Sequence, residues 1–545
     1  MANNYFTSLR KWLLAGMFLS AYFGLPSDLK AQTTPAISWD KALGGGDGDN
    51  LTCFGQTSDG GFILGGNSAS GIGGDKSQVH FGNGDFWIVK TDANGNKIWD
   101  KTFGGSAYDM LVAVHQTSDG GYILGGYSNS PVSGNKTSPY RGGGYDYWVV
   151  KTDANGSKVW DKSFGDSGWD QLAALAPTSD GGYLLAGESD SPMSANKTQA
   201  SKGSADYWLV KIDANGNKSW DKTIGGSSGD YLTTLKAAPG GFILGGYSGS
   251  NVSGDKTQGS QGSYDFWLVK INTAGSKVWD KTYGGPQEER LRRILPTSDG
   301  GYLIGGSSYS NTGGDKTSPT KGYIDMWVLK LNGQGNKTWD KAYGGGDEDV
   351  LTDIAELPSG ELIFSGYSRS GITGDKTEAV RGGNDYWLVK TDNSGNKLWD
   401  KTIGGNLYEF GGHLIQTSDG SLLIGGYSES YPSGEKTSPG NGENDMWLVK
   451  LAGTVSGTSA PNTPEAVSIR PNPSSGKFLL TANVLPSAKT QLIITDLAGR
   501  LILQKELNQA NGFMQEELKV NARPGIYLLT LKAGNRNLVR KLIIE

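Results

Sequence analysis

The chain is 545 residues long, enough for more than one domain, with 36% hydrophobic residues, 85 glycines and 10% aromatics. That mix suits many short strands and tight turns and excludes a mainly helical protein. A formal charge of -5, without clustered Lys/Arg blocks, excludes nucleic acid and anionic membrane as electrostatic partners.

At the N-terminus Arg10 and Lys11 precede the apolar run Trp12 to Leu25 and a short polar segment ending near Ala31. This is the order of a secretory signal, residues 1–31, cleaved near Ala31/Gln32; the alternative is a retained anchor, for which the run is short. No later apolar run reaches membrane-spanning length. The mature chain is expected to be exported, without a transmembrane helix, and either extracellular or attached at the outer surface. Cys53 is the only cysteine and has no internal partner. Its setting, LTCFGQT, reads as an inner strand and predicts a buried, inert thiol.

From residue 32 to 451 the sequence repeats. Trp-Asp-Lys occurs at Trp39, Trp99, Trp160, Trp220, Trp279, Trp339 and Trp399, with spacings of 60, 61, 60, 59, 60 and 60. A second series, two residues after an Asp, lies at Trp87, Trp148, Trp208, Trp267, Trp327, Trp387 and Trp447; only Trp12 and Trp169 fall outside the two series. One unit reads as four strands: MLVAVHQT, the turn Ser118-Asp119-Gly120-Gly121, YILGGYS, a long polar loop, YDYWVVKT, the turn Asp153-Ala154-Asn155-Gly156, and SKVWDKSFG. Seven such units predict an all-β, seven-bladed β-propeller with four strands per blade. The region opens with a lone fourth strand, Ile37 to Leu43, and ends with a set lacking its fourth, from about His413 to Leu451, so the ends should join into one blade. An open solenoid is the alternative.

Each long loop carries a lysine, Lys76, Lys136, Lys197, Lys256, Lys316, Lys376 and Lys436, usually within Gly-x-Lys-Thr. The phrase VSGDKTQGS resembles part of a P-loop, but an Asp separates its Gly from the Lys and no helix follows, so the pair is expected to steady the loop. TDANGNKIWDK resembles the tryptophan-docking phrase of quinoprotein-like propellers, in which a Trp after a Gly-containing turn packs between blades. The adjacent cysteines of the quinone enzymes are missing here. Copper ligation is not expected either, because His80, His115 and His413 occupy non-equivalent repeat positions.

AGTVSGTSAPNTP breaks the repeat as a linker, residues 452–464, and residues 465–545 read as a small antiparallel Ig-like β-sandwich. Pro471-Asn472-Pro473, Gly476, Asp496 and Gly499, Gly525 and Tyr527, and Lys541 stand in an order that resembles the type A C-terminal sorting domain of the type IX secretion system of Bacteroidota. The resemblance implies recognition by that secretion machinery at the outer membrane, followed by release or surface attachment. An ordinary adhesive Ig-like module is the alternative.

In a propeller with the first strand innermost, the long second-to-third loops share one face with the junctions between units, and ligands are expected there. Beside each junction stands a carboxylate: Asp49, Asp109, Asp170, Asp230, Glu289, Asp349 and Glu409. These form either a cation-attracting ring at the channel mouth or a structural set that accepts backbone N–H groups. GGGDGDN lacks the glycine and distal glutamate of an EF-hand loop, so no cofactor is expected and calcium is the one metal left open. Trp169 breaks the symmetry at a position held elsewhere by Gly48, Tyr108, Gly229, Glu288, Glu348 and Tyr408. With Tyr108 and Tyr408 it is the candidate ligand surface. Arg290, Arg292 and Arg293 are a second irregularity, expected to pair with the acidic ring. The carboxylates recur once per blade, unlike an acid/base cluster, so the reading is a monomeric binding or adhesion module for a polysaccharide or protein. A secreted polymer-degrading hydrolase or lyase is the alternative.

Overall fold

The computed structural model describes residues 34–453 except 195, and residues 467–544 except 471–473, 475, 484–489, 497–499, 508–512 and 534–535. The signal segment, the linker beyond residue 453, Pro471-Asn472-Pro473 and Gly499 lie outside the described residues. β1 (Ile37–Leu43) is followed by β2 (Asp49–Gln56), β3 (Phe62–Ser68), β4 (Asp85–Thr91) and β5 (Lys97–Phe103). β2 to β5 pair antiparallel in sequence order, and residues 37–451 contain seven such four-stranded sheets. Six are built from consecutive strands. The seventh takes β1 as its outer strand, with Ile37 opposite Leu451 and Leu43 opposite Met446. β2 also packs beside the innermost strand of that sheet, Glu409–Gln416, so the sheets close into a ring. That strand begins four residues before the His413 start read from the sequence. Closure answers the unmatched strands at the two ends of the repeat, and the solenoid alternative falls.

The aspartate of the Trp-Asp-Lys triplet holds each blade together. Asp100 Oδ2 accepts the indole N–H of Trp87 at 3.1 Å and the backbone N–H of Ser77 at 3.0 Å, while Lys97 lies 3.0 Å from its other oxygen. One carboxylate thus joins the third strand, the long loop and the outer strand. The same bond runs from Trp447 to Asp40 at 3.0 Å, across the ends of the ring. The third-strand tryptophans are fully buried. The outer-strand series meets the next blade: Gly95, at φ 77°, sits so close to Trp39 that a Cβ there would lie 3.0 Å from the ring. Glycine is required at this turn by both its conformation and its space. The loop lysines are buried among carboxylates; Lys76 donates to Thr102 Oγ1 at 2.6 Å and its ammonium lies 5.7 Å from the centre of the Trp87 ring. Their role is structural.

The C-terminal domain has two antiparallel sheets, one of three strands and one of four, whose inner faces share a core of Phe478, Leu480, Leu492, Ile494, Leu529 and Leu542 among others. Along Thr490–Asp496 the buried Leu492 and Ile494 alternate with the partly exposed Gln491, Ile493 and Thr495, as a sandwich requires. Asp496 accepts the Arg500 backbone N–H at 2.9 Å, and Tyr527 donates to the Arg523 carbonyl at 2.7 Å. Gly476 lies at φ 85°, Gly525 opens the strand Gly525–Ala533, and Lys541 lies on Arg536–Ile544.

Candidate functional site on the loop face and in the central channel

Trp169, Tyr108 and Tyr408 stand at the loop-face junctions and are 53%, 46% and 42% exposed. They do not form one patch. Trp169 meets Tyr145 edge-on at 5.3 Å, and Tyr145 meets Tyr127 in the same way at 5.1 Å. The indole lies across Gly144, where a Cβ would fall 2.4 Å from the ring. Glycine on one side and tyrosine at the edge fix the ring while half its surface stays in water. Tyr408 stacks instead on Phe410, at 6.0 Å and 7°, and Phe410 meets Tyr367 and Tyr427. A third cluster, which the sequence reading did not single out, joins Tyr231, Tyr247 and Tyr264. The Gly-Tyr-Ser ending of several second strands was the available signal. Where that tyrosine would recur, blade three has Glu188; burial, with repulsion from Asp190 behind it, pushes its carboxyl up to about 7.

The seven junction carboxylates are fully buried. Asp109 accepts the Gly105 N–H at 2.8 Å and the Ser130 hydroxyl at 2.9 Å, and Asp49, Asp170, Asp230 and Asp349 accept a backbone N–H and a serine hydroxyl in the same manner. Glu289 and Glu409 reach the Gly285 and Gly405 N–H groups. None of the seven lines the channel cavity.

The arginines do not pair with these carboxylates, contrary to the expectation. Arg290 pairs with Glu288. Arg293 places its Nε 3.1 Å from Asp353 Oδ1 and its Nη2 3.3 Å from Oδ2. The same Nη2 donates to His413 Nδ1 at 2.9 Å, which leaves the imidazole proton on Nε2. Burial opposes the charge on Asp353, but the Arg293 guanidinium holds its carboxyl well below the usual carboxylate range. Burial pushes His413 down, and so does Arg293; both act against Asp353. The imidazole is therefore neutral at pH 7.

These three residues occupy one register position on successive innermost strands, where the first four blades have Cys53, Ala113, Ala174 and Thr234. Each innermost strand has a bulge just before this position, and together the strands enclose a channel cavity of about 760 Å³. Cys53 is half-buried on its wall, exposed more than the sequence reading expected, and burial pushes its thiol up to about 12. His115 also lines the cavity and meets the Leu175 carbonyl at 3.0 Å; His80 lies apart, in a long loop. Spacing by 60 residues was the signal for Arg293, Asp353 and His413, visible only once the inward register is known.

Residues 468–545 match the family of secretion system C-terminal sorting domains. The C-terminal sandwich is thus a type IX secretion system sorting domain, which implies engagement by that machinery and export to the cell surface or beyond. Over 326 residues the chain is 24% identical to the regulatory protein FlaEY of Caulobacter vibrioides, a match covering 54% of this chain and 33% of that protein. The chain therefore spans about a third of this curated relative. Among solved structures, puromycin hydrolase aligns over 81% of this chain and 59% of its own at 11% identity and a TM-score of 0.43. A Synechocystis apocarotenoid oxygenase aligns over 78% and 95% at 11% identity and a TM-score of 0.34. Neither likeness bears on activity. Among the described residues no helix is long and apolar enough to cross a membrane.

Proposed function

We propose that the propeller is a binding or adhesion module, carried out of the cell by its sorting domain and displayed on the surface or released after removal of the signal. Its loop face recognises a polysaccharide or a protein. The observation that carries this reading is Trp169, an indole held rigidly by Gly144 and Tyr145 with one side free for stacking. A rigid aromatic ring loses little entropy on binding and offers a flat surface to a sugar ring or an apolar side chain. Hydrolysis is disfavoured because the repeated carboxylates are engaged by backbone and serine groups, and the acid/imidazole pair of the channel, Asp353 and His413, is tied to Arg293. The reading needs no cofactor, so affinity is expected to be equal with calcium and with a chelator. The test is a screen of the mature full chain against glycans and extracellular polymers, with product analysis in parallel. Saturable binding without products is expected; reproducible turnover of a polysaccharide would reverse the assignment in favour of a hydrolase or lyase.

A further inference from the structure

The channel carries more positive charge than its own residues neutralise. Arg293 has Asp353 as its ion-pair partner. Arg292, the bulged residue of the strand Glu289–Pro296, is exposed on the channel wall and makes no ion pair among the described residues. Lys236, on the strand Asp230–Ala238, lines the same cavity and likewise makes none. Three cations thus share the cavity with one carboxylate, while His115 and His413 are held neutral by burial. The scaffold does not need this arrangement, because Thr52 and Val112 occupy the bulge position of Arg292 in the first two blades. Cations crowded into a partly enclosed space repel one another unless an anion joins them. The wall from Val112 to Val114 and from Ala173 to Leu175 is largely apolar.

We propose that the channel binds an oxyanion, the carboxylate of a sugar acid or a free sulfate or phosphate, between Arg292, Lys236 and Arg293. A cavity of about 760 Å³ accommodates one sugar acid, its charged group at the basic wall and its ring against the apolar one. This site goes beyond the loop-face reading and does not depend on Trp169.

The chain has only three histidines, which makes imidazole NMR a direct readout. Sodium sulfate, sodium phosphate and sodium galacturonate are titrated separately into the full chain, against sodium chloride at matched ionic strength. A saturable shift of the His413 signals, with His80 unmoved, is expected with at least one of the three. Stronger binding of galacturonate identifies a sugar acid; a response to sulfate or phosphate alone identifies a free inorganic ion. Arg292→Gln and Lys236→Gln, each checked for an unchanged melting curve, are expected to weaken binding by about tenfold or more, because each removes a charge-assisted contact. Trp169→Ala should leave the titration intact. No saturable shift with any of the three anions, an equal response to chloride, or undiminished binding by the Arg292→Gln/Lys236→Gln double variant overturns the proposal.

Discussion

Trp387 and Trp169 have the same side chain and opposite expected responses to substitution. Trp387 is fully buried and donates to Asp400 at 3.1 Å. Trp387→Phe keeps most of the apolar volume and removes that donor, so a loss of about 1–2 kcal/mol is expected in urea unfolding. Trp169→Ala should leave unfolding nearly unchanged, because the indole is half in water and rests on the surface of its own junction. The sequence distinguished the two: one recurs in every unit and the other breaks the repeat. It could not show that Tyr145 would brace Trp169, because the two lie on different blades and meet only across a junction. Arg293, Asp353 and His413 were hidden for a related reason. They become a cluster only when the bulged innermost strands are aligned around an axis.

At the scale of elements, β1 is the decisive strand. Its Asp40 gives the seventh blade the carboxylate that every other blade takes from its own outer strand, and it accepts the N–H groups of Thr437 at 3.0 Å and Ser438 at 2.9 Å. Removing residues 34–43 from the mature chain would expose the Asp445–Leu451 edge and the buried Trp447. An open edge invites pairing with another chain. The shortened protein is expected to melt well below the intact one and to elute as oligomers or aggregate in size-exclusion chromatography; a stable monomer of unchanged melting temperature would contradict this role. The four-strand order was legible because glycine turns and tryptophan spacing mark every strand. The inward register of the first strands was not, since a bulge shifts side chains in a way that simple alternation does not reveal.

Across the whole molecule, the junctions couple folding to pH. Burial, assisted by repulsion from the neighbouring innermost-strand carboxylate, pushes Asp85, Asp206, Asp265 and Asp325 up to about 6 and Asp146 to about 7. Asp385 moves in the same direction. A carboxyl raised on folding holds its proton more tightly in the native state, so this contribution is fully present below the ordinary value of 3.8 and is lost as pH rises through 6 to 7. Asp59 and Asp299 act oppositely, held down at about 2 by their bonds to Thr57, Thr297 and nearby lysines, and their contribution is lost as pH falls from 3.8 towards 2. The two trends place greatest thermal stability at about pH 4, with a lower melting temperature at pH 8. Melting curves from pH 3 to 9 check this; a melting temperature that rises steadily from pH 5 to 8 would contradict it.

The ring and its export domain were legible from repetition and motif order, because both are written many times or in a fixed order along the chain. A ligand is recognised by residues written once, and these depend on how the blades meet. The most direct test of the binding role is therefore the affinity of the full chain and of Trp169→Ala for one ligand found by screening, measured under identical salt conditions. A loss of about tenfold or more is expected, the equivalent of one stacking contact near 1.4 kcal/mol. Equal affinities, with both proteins showing the same melting curve, would contradict the placement of the ligand on this face.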